Sequence, residues 1–203
     1  MDEWQWKLVL HHDTSPREIQ TAFKVNLSMA IACMQEAREM GAADAMIKWP
    51  NDVWIRGKKI AGFIVDNSIV DKSMTCLVGV GMNINEDMSL NPNEFVRENA
   101  TSLQMEVGKP LSRFAVLAGI CNKFEKLLQM DMSDIRCLYK ESNLLMHRRI
   151  IVKPKRREDP EGYEADVVGM SEEGFLVVQT LDGAVKQIAG EEVMVRLADG
   201  KVI

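Results

Sequence analysis

Apolar positions follow one rhythm up to about residue 147 and another beyond it. In the first part, Phe23, Leu27, Ile31 and Met34 recur at three- and four-residue spacing, which predicts a helix with one buried stripe. Ser15-Pro16-Arg17-Glu18 reads as its capping box with proline at the first helical position, and Gly41 as its stop. A second helix is expected after Ser112, with Phe114, Leu117, Ala118, Cys121, Phe124 and Leu128 on its inner face. A shorter one is expected around Ser133 to Ser142.

Between these helices the pattern is that of strands. Trp6 to Leu10 is a strand candidate, Ile47-Lys48 ends another, and Val53 to Arg56 turns back through Gly57-Lys58 into Lys59 to Asp66. Ser73 to Gly81 reads as a buried strand, and the polar stretch Leu90 to Asn99 as a loop. From Arg149 onward short alternating runs take over: Ile150 to Val152, Tyr163 to Val168, Phe175 to Gln179, Ala184 to Ile188 and Val193 to Leu197. Turns fall at Asp159-Pro160-Glu161-Gly162, Glu172-Glu173-Gly174 and Leu181-Asp182-Gly183. The expected fold is α/β of the α+β kind: a mixed sheet flanked by helices over residues 1–146, then a small β-barrel over 147–203.

Composition narrows the function. A chain of 203 residues that is 46% hydrophobic can build a core, and a net charge of -5 argues against nucleic-acid binding driven by overall charge. No run approaches the ~18 apolar residues of a membrane span, and the acidic start Met1-Asp2-Glu3-Trp4 is unlike a signal peptide. Cys33, Cys76, Cys121 and Cys137 contain no C-x-x-C pair, which reads as free thiols in a cytoplasmic protein. His11, His12 and His147 lack metal-ligand spacing, so no metal site is legible.

The candidate chemistry centres on Lys48-Trp49-Pro50-Asn51-Asp52. Lys48 ends a strand, and Pro50 breaks the ladder after it because proline has no N–H. A compact charge fixed by backbone is suited to hold an anion, although a strand-end lysine can also merely reach solvent. Gly79 and Gly81 alternate, leaving bare backbone on one face for a ligand or for close packing. The basic run Lys153-Pro154-Lys155-Arg156-Arg157 reads as a solvated hairpin loop, with an acidic partner or an import-like signal as the other readings.

Lys48 to Asp52, Lys59-Ile60-Ala61-Gly62-Phe63-Ile64-Val65 and Val78-Gly79-Val80-Gly81-Met82-Asn83-Ile84-Asn85 together resemble the biotin–protein ligases in order and spacing. The terminal stretch with Gly174-Phe175-Leu176 and Glu192-Val193-Met194-Val195-Arg196 is similar to that family's SH3-like barrel. The resemblance implies the biotin/lipoate ligase catalytic fold and an ATP-dependent reaction. Biotinyl-5′-AMP forms with loss of pyrophosphate, and biotin then passes to a lysine of a carboxylase's biotin carboxyl-carrier domain. Lys48 matches the lysine contacting the biotin carboxylate and acyl-phosphate linkage. Gly62 and Gly81 match the backbone lining the biotin tail, Asn83 the reader of the adenine edge, and Arg196 an arginine on the nucleotide phosphates. Mg²⁺ is implied with ATP.

The family's Ser/Thr-rich biotin-ring segment and its Gly-Arg-Gly-Arg-type loop have no counterpart here. A catalytic domain lacking its N-terminal part is therefore expected, inactive alone or completed by an N-terminal half or a second copy in a homodimer. The exposed sheet edge is where a carrier domain or second copy is expected to add a strand. Two alternatives stand beside this: a non-catalytic nucleotide- or carrier-protein-binding module, and a lipoate ligase, a group that lacks the Lys-Trp-Pro-Asn-Asp form.

Overall fold

The alternation around the Lys48 turn folds into an antiparallel sheet. A computed structural model describes residues 5–13, 18–70, 73–154, 162–190 and 193–198. Strands β1 (Gln5–Asp13), β2 (Ala45–Lys48), β3 (Asp52–Ile55), β4 (Lys58–Val70) and β5 (Ser73–Met82) lie in the order β1-β5-β4-β3-β2. Their ladders are antiparallel, and parallel geometry is confined to isolated bridges between Ile47 and Asn143 and between Lys59 and Ala100. Helix α1 (Glu18–Glu39) covers one face, burying Leu27, Ile31 and Met34 against Ile47, Val53, Ile55 and Val78 as the stripe predicts. Gly41, at φ +111°, ends the helix turn in a conformation few other residues adopt. Ser15 to Arg17 of the expected capping box lie outside the described residues.

The β3–β4 turn sits one residue earlier than Gly57-Lys58. Arg56 and Gly57 have φ of +48° and +84°, because a two-residue hairpin matching strand twist needs positive φ at both central positions. Arg56 is held there by Asp44 at 2.7 Å. The stretch read as a loop from Leu90 to Asn99 contains helix α2 (Glu94–Asn99), started by Asn93, whose side chain accepts from the Phe95 N–H. Helix α3 (Leu103–Val107) follows, capped in the same way by Ser102. Both are too short to show an apolar period, and their caps establish them.

Helix α4 (Arg113–Gln129) begins at Ser112 as expected but presents a different face. Val116, Ile120, Phe124 and Leu127 are buried, whereas Phe114 is 76% exposed and Cys121 is exposed. The reason is a polar contact inside the α1–α4 seam. Gly119 lacks a Cβ where the buried Glu36 carboxylate sits, and Lys123 binds Glu36 at 2.6 Å and Glu39 at 2.5 Å. Helix α5 (Met132–Ser142) then leads to His147.

Strands β6 (Arg149–Pro154), β7 (Tyr163–Met170), β8 (Leu176–Thr180), β9 (Val185–Ile188) and β10 (Val193–Leu197) form a second antiparallel sheet, ordered β10-β6-β7-β8-β9. The turns at Glu172 to Gly174 and Leu181 to Gly183 form, with Gly174 and Gly183 at φ +89° and +88°. Asp159 to Glu161, and Lys155 to Arg157 of the basic run, lie outside the described residues. The strands expected of the barrel are thus present as a five-stranded sheet; among the described residues no ladder joins β9 to β10. One continuous apolar core runs from α1 to Ile150, Val152 and Val178 of this sheet.

Candidate functional site

A register break builds the site. Val53 pairs with Ala61, but Trp54 pairs with Lys59, so Ile60 is an extra residue in β4. Side chains alternate sides along a strand, and Lys59 and Gly62, three apart, would ordinarily face opposite ways. The bulge cancels one step and brings Lys59 to the Gly62 side, its Nζ 2.8 Å from where a Gly62 Cβ would stand, while Ile60 and Ala61 are buried. The carbonyls displaced by the bulge keep partners: Thr101 N–H donates to Lys59 at 3.0 Å, and Asn83 N–H donates to Ile60 at 2.8 Å.

Two cavities meet at this point. The first, about 970 Å³, lies over the β4–β5 face and is lined by Gly62, Ile64, Gly79, Gly81 and Asn83. The second, about 460 Å³, lies between the Lys48 turn, α2 and β10, and is lined by Lys48, Trp54, Val96, Met194 and Arg196. Asn51, Asp52, Lys59, Val96 and Ala100 line both, and Asp52 and Lys59 are the charged pair among them. Lys59 Nζ is 2.6 Å from Asp52 Oδ1. A Cβ on Gly62 would stand 2.8 Å from that ammonium and 3.0 Å from the carboxylate, so the missing side chain leaves room for the pair.

Lys48 carries its ammonium 4.3 Å from the Trp54 ring centroid. Burial pushes its pKa from 10.5 down to about 8; Asp52 opposes the fall, and the charges of Lys59 and Arg196 add to it. The turn beyond it is pinned on several sides. Trp49 Nε1 donates to the Gly174 carbonyl at 3.0 Å, and Tyr139 donates its hydroxyl to the Pro50 carbonyl at 2.9 Å. Asn51 Nδ2 donates to the Phe63 carbonyl at 2.5 Å, and Leu144 N–H to Ile47 at 2.8 Å. The Trp49–Pro50 peptide bond is cis. Asn83 donates from Nδ2 to the Thr101 carbonyl at 3.1 Å, which fixes the plane of its amide.

The residues singled out from the sequence therefore fall into two groups. Gly62, Gly81 and Asn83 share the first cavity, and Lys48 and Arg196 share the second. Sequence reading missed Lys59 and Asp52 as the link between them. Lys59 stands inside one of the matching segments, but strict alternation assigns it to the wrong face, and nothing local announces the bulge. Among the described residues no three His, Cys, Asp or Glu side chains cluster as a metal site. No helix there is long and apolar enough to cross a membrane.

Comparison with known proteins bears on the fold. The Biotin/lipoate A/B protein ligase family model matches residues 7–83, the segment carrying β1 to Asn83. Two solved Aquifex aeolicus structures superimpose on 96% of the chain at 21% identity. The apo biotin protein ligase has a TM-score of 0.74 with 83% of its own chain covered; the ligase in complex with biotin and ATP has 0.73 with 79% covered. The chain has the biotin protein ligase fold. In sequence it is 28% identical over 173 residues to the bifunctional ligase/repressor BirA of Bacillus subtilis, covering 83% of this chain and 52% of that protein. The human biotin–protein ligase is 26% identical over 165 residues, 77% of this chain and 22% of its own length. The chain thus spans about half the length of the bacterial curated relative. The resemblance carried by the Lys48, Gly62 and Gly81 segments is borne out. The biotin protein ligase fold also accounts for the helix-covered antiparallel sheet followed by a strand-rich C-terminal segment.

Proposed function

We propose that the chain carries the adenylate-forming site of a biotin–protein ligase, with residues 1–146 as its catalytic unit and 147–203 as a second unit that supplies Arg196. The observation that carries this reading is the meeting of two unlike cavities at one ion pair, Lys59–Asp52. The first cavity, where Gly62, Gly79 and Gly81 bare the backbone, suits an extended apolar chain such as the biotin tail. A chamber holding Lys48, Lys59 and Arg196 suits phosphates.

The reaction joins two anions, since a carboxylate oxygen of biotin must attack the α-phosphorus of ATP while pyrophosphate leaves. Repulsion between them is the barrier that a fixed cation lowers. Lys59, standing at the junction, is the group assigned to the biotin carboxylate and the acyl-phosphate linkage, with Asp52 holding its ammonium. Lys48, matched to that role by sequence, lines the second of these two cavities and not the first, and is assigned there with Arg196. Asn83 is assigned to the adenine edge, its amide plane set by Thr101. ATP enters as its Mg²⁺ complex, the cation riding on the phosphates.

Transfer to a lysine of a biotin carboxyl-carrier domain completes the reaction. Among the described strands, β1 is an edge of the first sheet paired only with β5, while the β2 edge is partly covered by Leu144. We place an added strand at β1, from the carrier domain, a second copy, or a complementing N-terminal half. The four unpaired cysteines are consistent with a cytoplasmic setting.

Calorimetric titration with a non-hydrolysable biotinyl-adenylate mimic tests the reading. Lys59→Ala is expected to weaken the mimic by about a hundredfold with little change in melting temperature. Equal affinity in the variant refutes the Lys59 assignment; no binding by the unaltered chain refutes the ligase site. Competition by lipoate in preference to biotin assigns the site to the lipoate ligases instead.

A further inference from the structure

The floor of the first cavity is a row of cross-strand pairs whose chemistry changes away from the Lys59–Asp52 junction. Gly62 pairs with Gly81, Ile64 with Gly79 and Asp66 with Leu77, and all of them line that cavity. Residues two apart share a face of a strand, so these pairs lie in line on one side of β4 and β5. The opposite side carries Phe63, Val78 and Val80, which are buried in the core. The first pair is bare backbone beside the lysine, and the second offers only the Ile64 side chain, 65% exposed. The third sets a carboxylate beside a leucine. Asp66 is exposed, and among the described residues no hydrogen bond or ion pair engages its carboxylate. A channel for an apolar tail gives that acceptor no task.

The spacing along the floor supplies one. From Gly62 to Asp66 the extended strand covers about 13 Å. An extended biotin spans about 10 Å from its carboxyl carbon to its urea carbon, and a hydrogen bond adds about 3 Å. With its carboxylate on Lys59, its urea therefore arrives at the Asp66–Leu77 pair.

We propose that Asp66 is a specificity-determining residue of this channel, accepting a urea N–H of the biotin ring while Leu77 packs on the ring's apolar thioether side. The proposal rests on the assignment of this cavity to biotin. It also separates biotin from lipoate. The lipoyl dithiolane follows a similar tail but has no N–H to donate, so it forgoes the bond to the carboxylate.

The test is calorimetric titration of the full chain with non-hydrolysable biotinyl- and lipoyl-adenylate mimics, which differ only in the acyl group. The unaltered protein is expected to bind the biotinyl mimic more tightly. Asp66→Ala is expected to weaken the biotinyl mimic by about thirtyfold, since a hydrogen bond to a charged acceptor is lost, and to leave the lipoyl mimic unweakened. Ser68→Ala, next along the same face but outside the cavity lining, should bind both mimics as the unaltered protein does. Melting temperatures should match, because both side chains are exposed. Unchanged biotinyl affinity in Asp66→Ala, an equal loss for both mimics, or the same loss in Ser68→Ala overturns the Asp66 assignment alone. Tighter binding of the lipoyl mimic by the unaltered protein, or binding of neither mimic, overturns the functional reading beneath it and this inference with it.

Discussion

Raising the pH should stabilise the fold through Lys48 while weakening anion binding at the proposed phosphate site. The Lys48 ammonium has its pKa depressed from 10.5 to about 8 by burial. Below pH 8 both folded and unfolded chains hold the proton, and the folded chain bears the full cost of the buried charge. Between pH 8 and 10.5 the unfolded chain keeps that proton and the folded chain releases it, so stability from this group rises with pH. At about 1.4 kcal/mol for each pH unit, the fall is worth about 3 kcal/mol. Partial exposure to water screens the charge, which leaves about 1–2 kcal/mol. Urea unfolding of the unaltered protein and Lys48→Met at pH 7.5 and pH 10 measures it, because thiols and phenols titrating in this range are common to both and cancel. The stability of the unaltered protein relative to Lys48→Met should rise by about 1–2 kcal/mol across the interval. Tripolyphosphate affinity should fall through pH 8 in the unaltered protein. A relative stability that stays flat with pH would mean an ammonium in open water and would refute the reasoning.

Two further outcomes follow from the geometry. Gly119→Ala gains helix propensity, yet its methyl meets the Glu36 carboxylate that Lys123 holds in the α1–α4 seam. A net loss of about 1–3 kcal/mol is expected by urea unfolding, and unchanged or increased stability would show that the carboxylate moves freely. Arg196→Ala should weaken Mg²⁺–ATP by about tenfold in calorimetry, since a cation–phosphate hydrogen bond is lost, while leaving the melting temperature nearly unchanged. Unaltered ATP affinity would remove Arg196 from the site.

Where neighbouring signals agreed, the fold could be read directly from the chain. The α1 stripe of Leu27, Ile31 and Met34 is buried, and the short strands after Arg149 form where alternation and Gly174 or Gly183 turns coincide. Readings failed where a long-range contact outweighed the local pattern. On α4 the apolar residues Phe114 and Cys121 suggested one face, but the buried Glu36 opposite Gly119 settled another. Helices α2 and α3 escaped because six and five residues cannot show a helical period. The site was half legible: Lys48, Gly62, Gly81, Asn83 and Arg196 do gather along one connected pair of cavities. The residue joining them was hidden, because Lys59 reaches the cavity only through a bulge whose cause lies in pairing with β3.

The fastenings of the Lys48 turn set a timetable for synthesis. Pro50 is tied to Tyr139, 89 residues later, and Trp49 to Gly174, 125 residues later. A nascent chain that has emerged only through β5 owns every strand around the turn but neither tie. The anion chamber also waits for Arg196 on the last described strand. The lysine-bearing turn is thus made well before the residues that fasten it, so a chain cut short before β10 would leave the ribosome with its first sheet built and the chamber beside Lys48 unassembled.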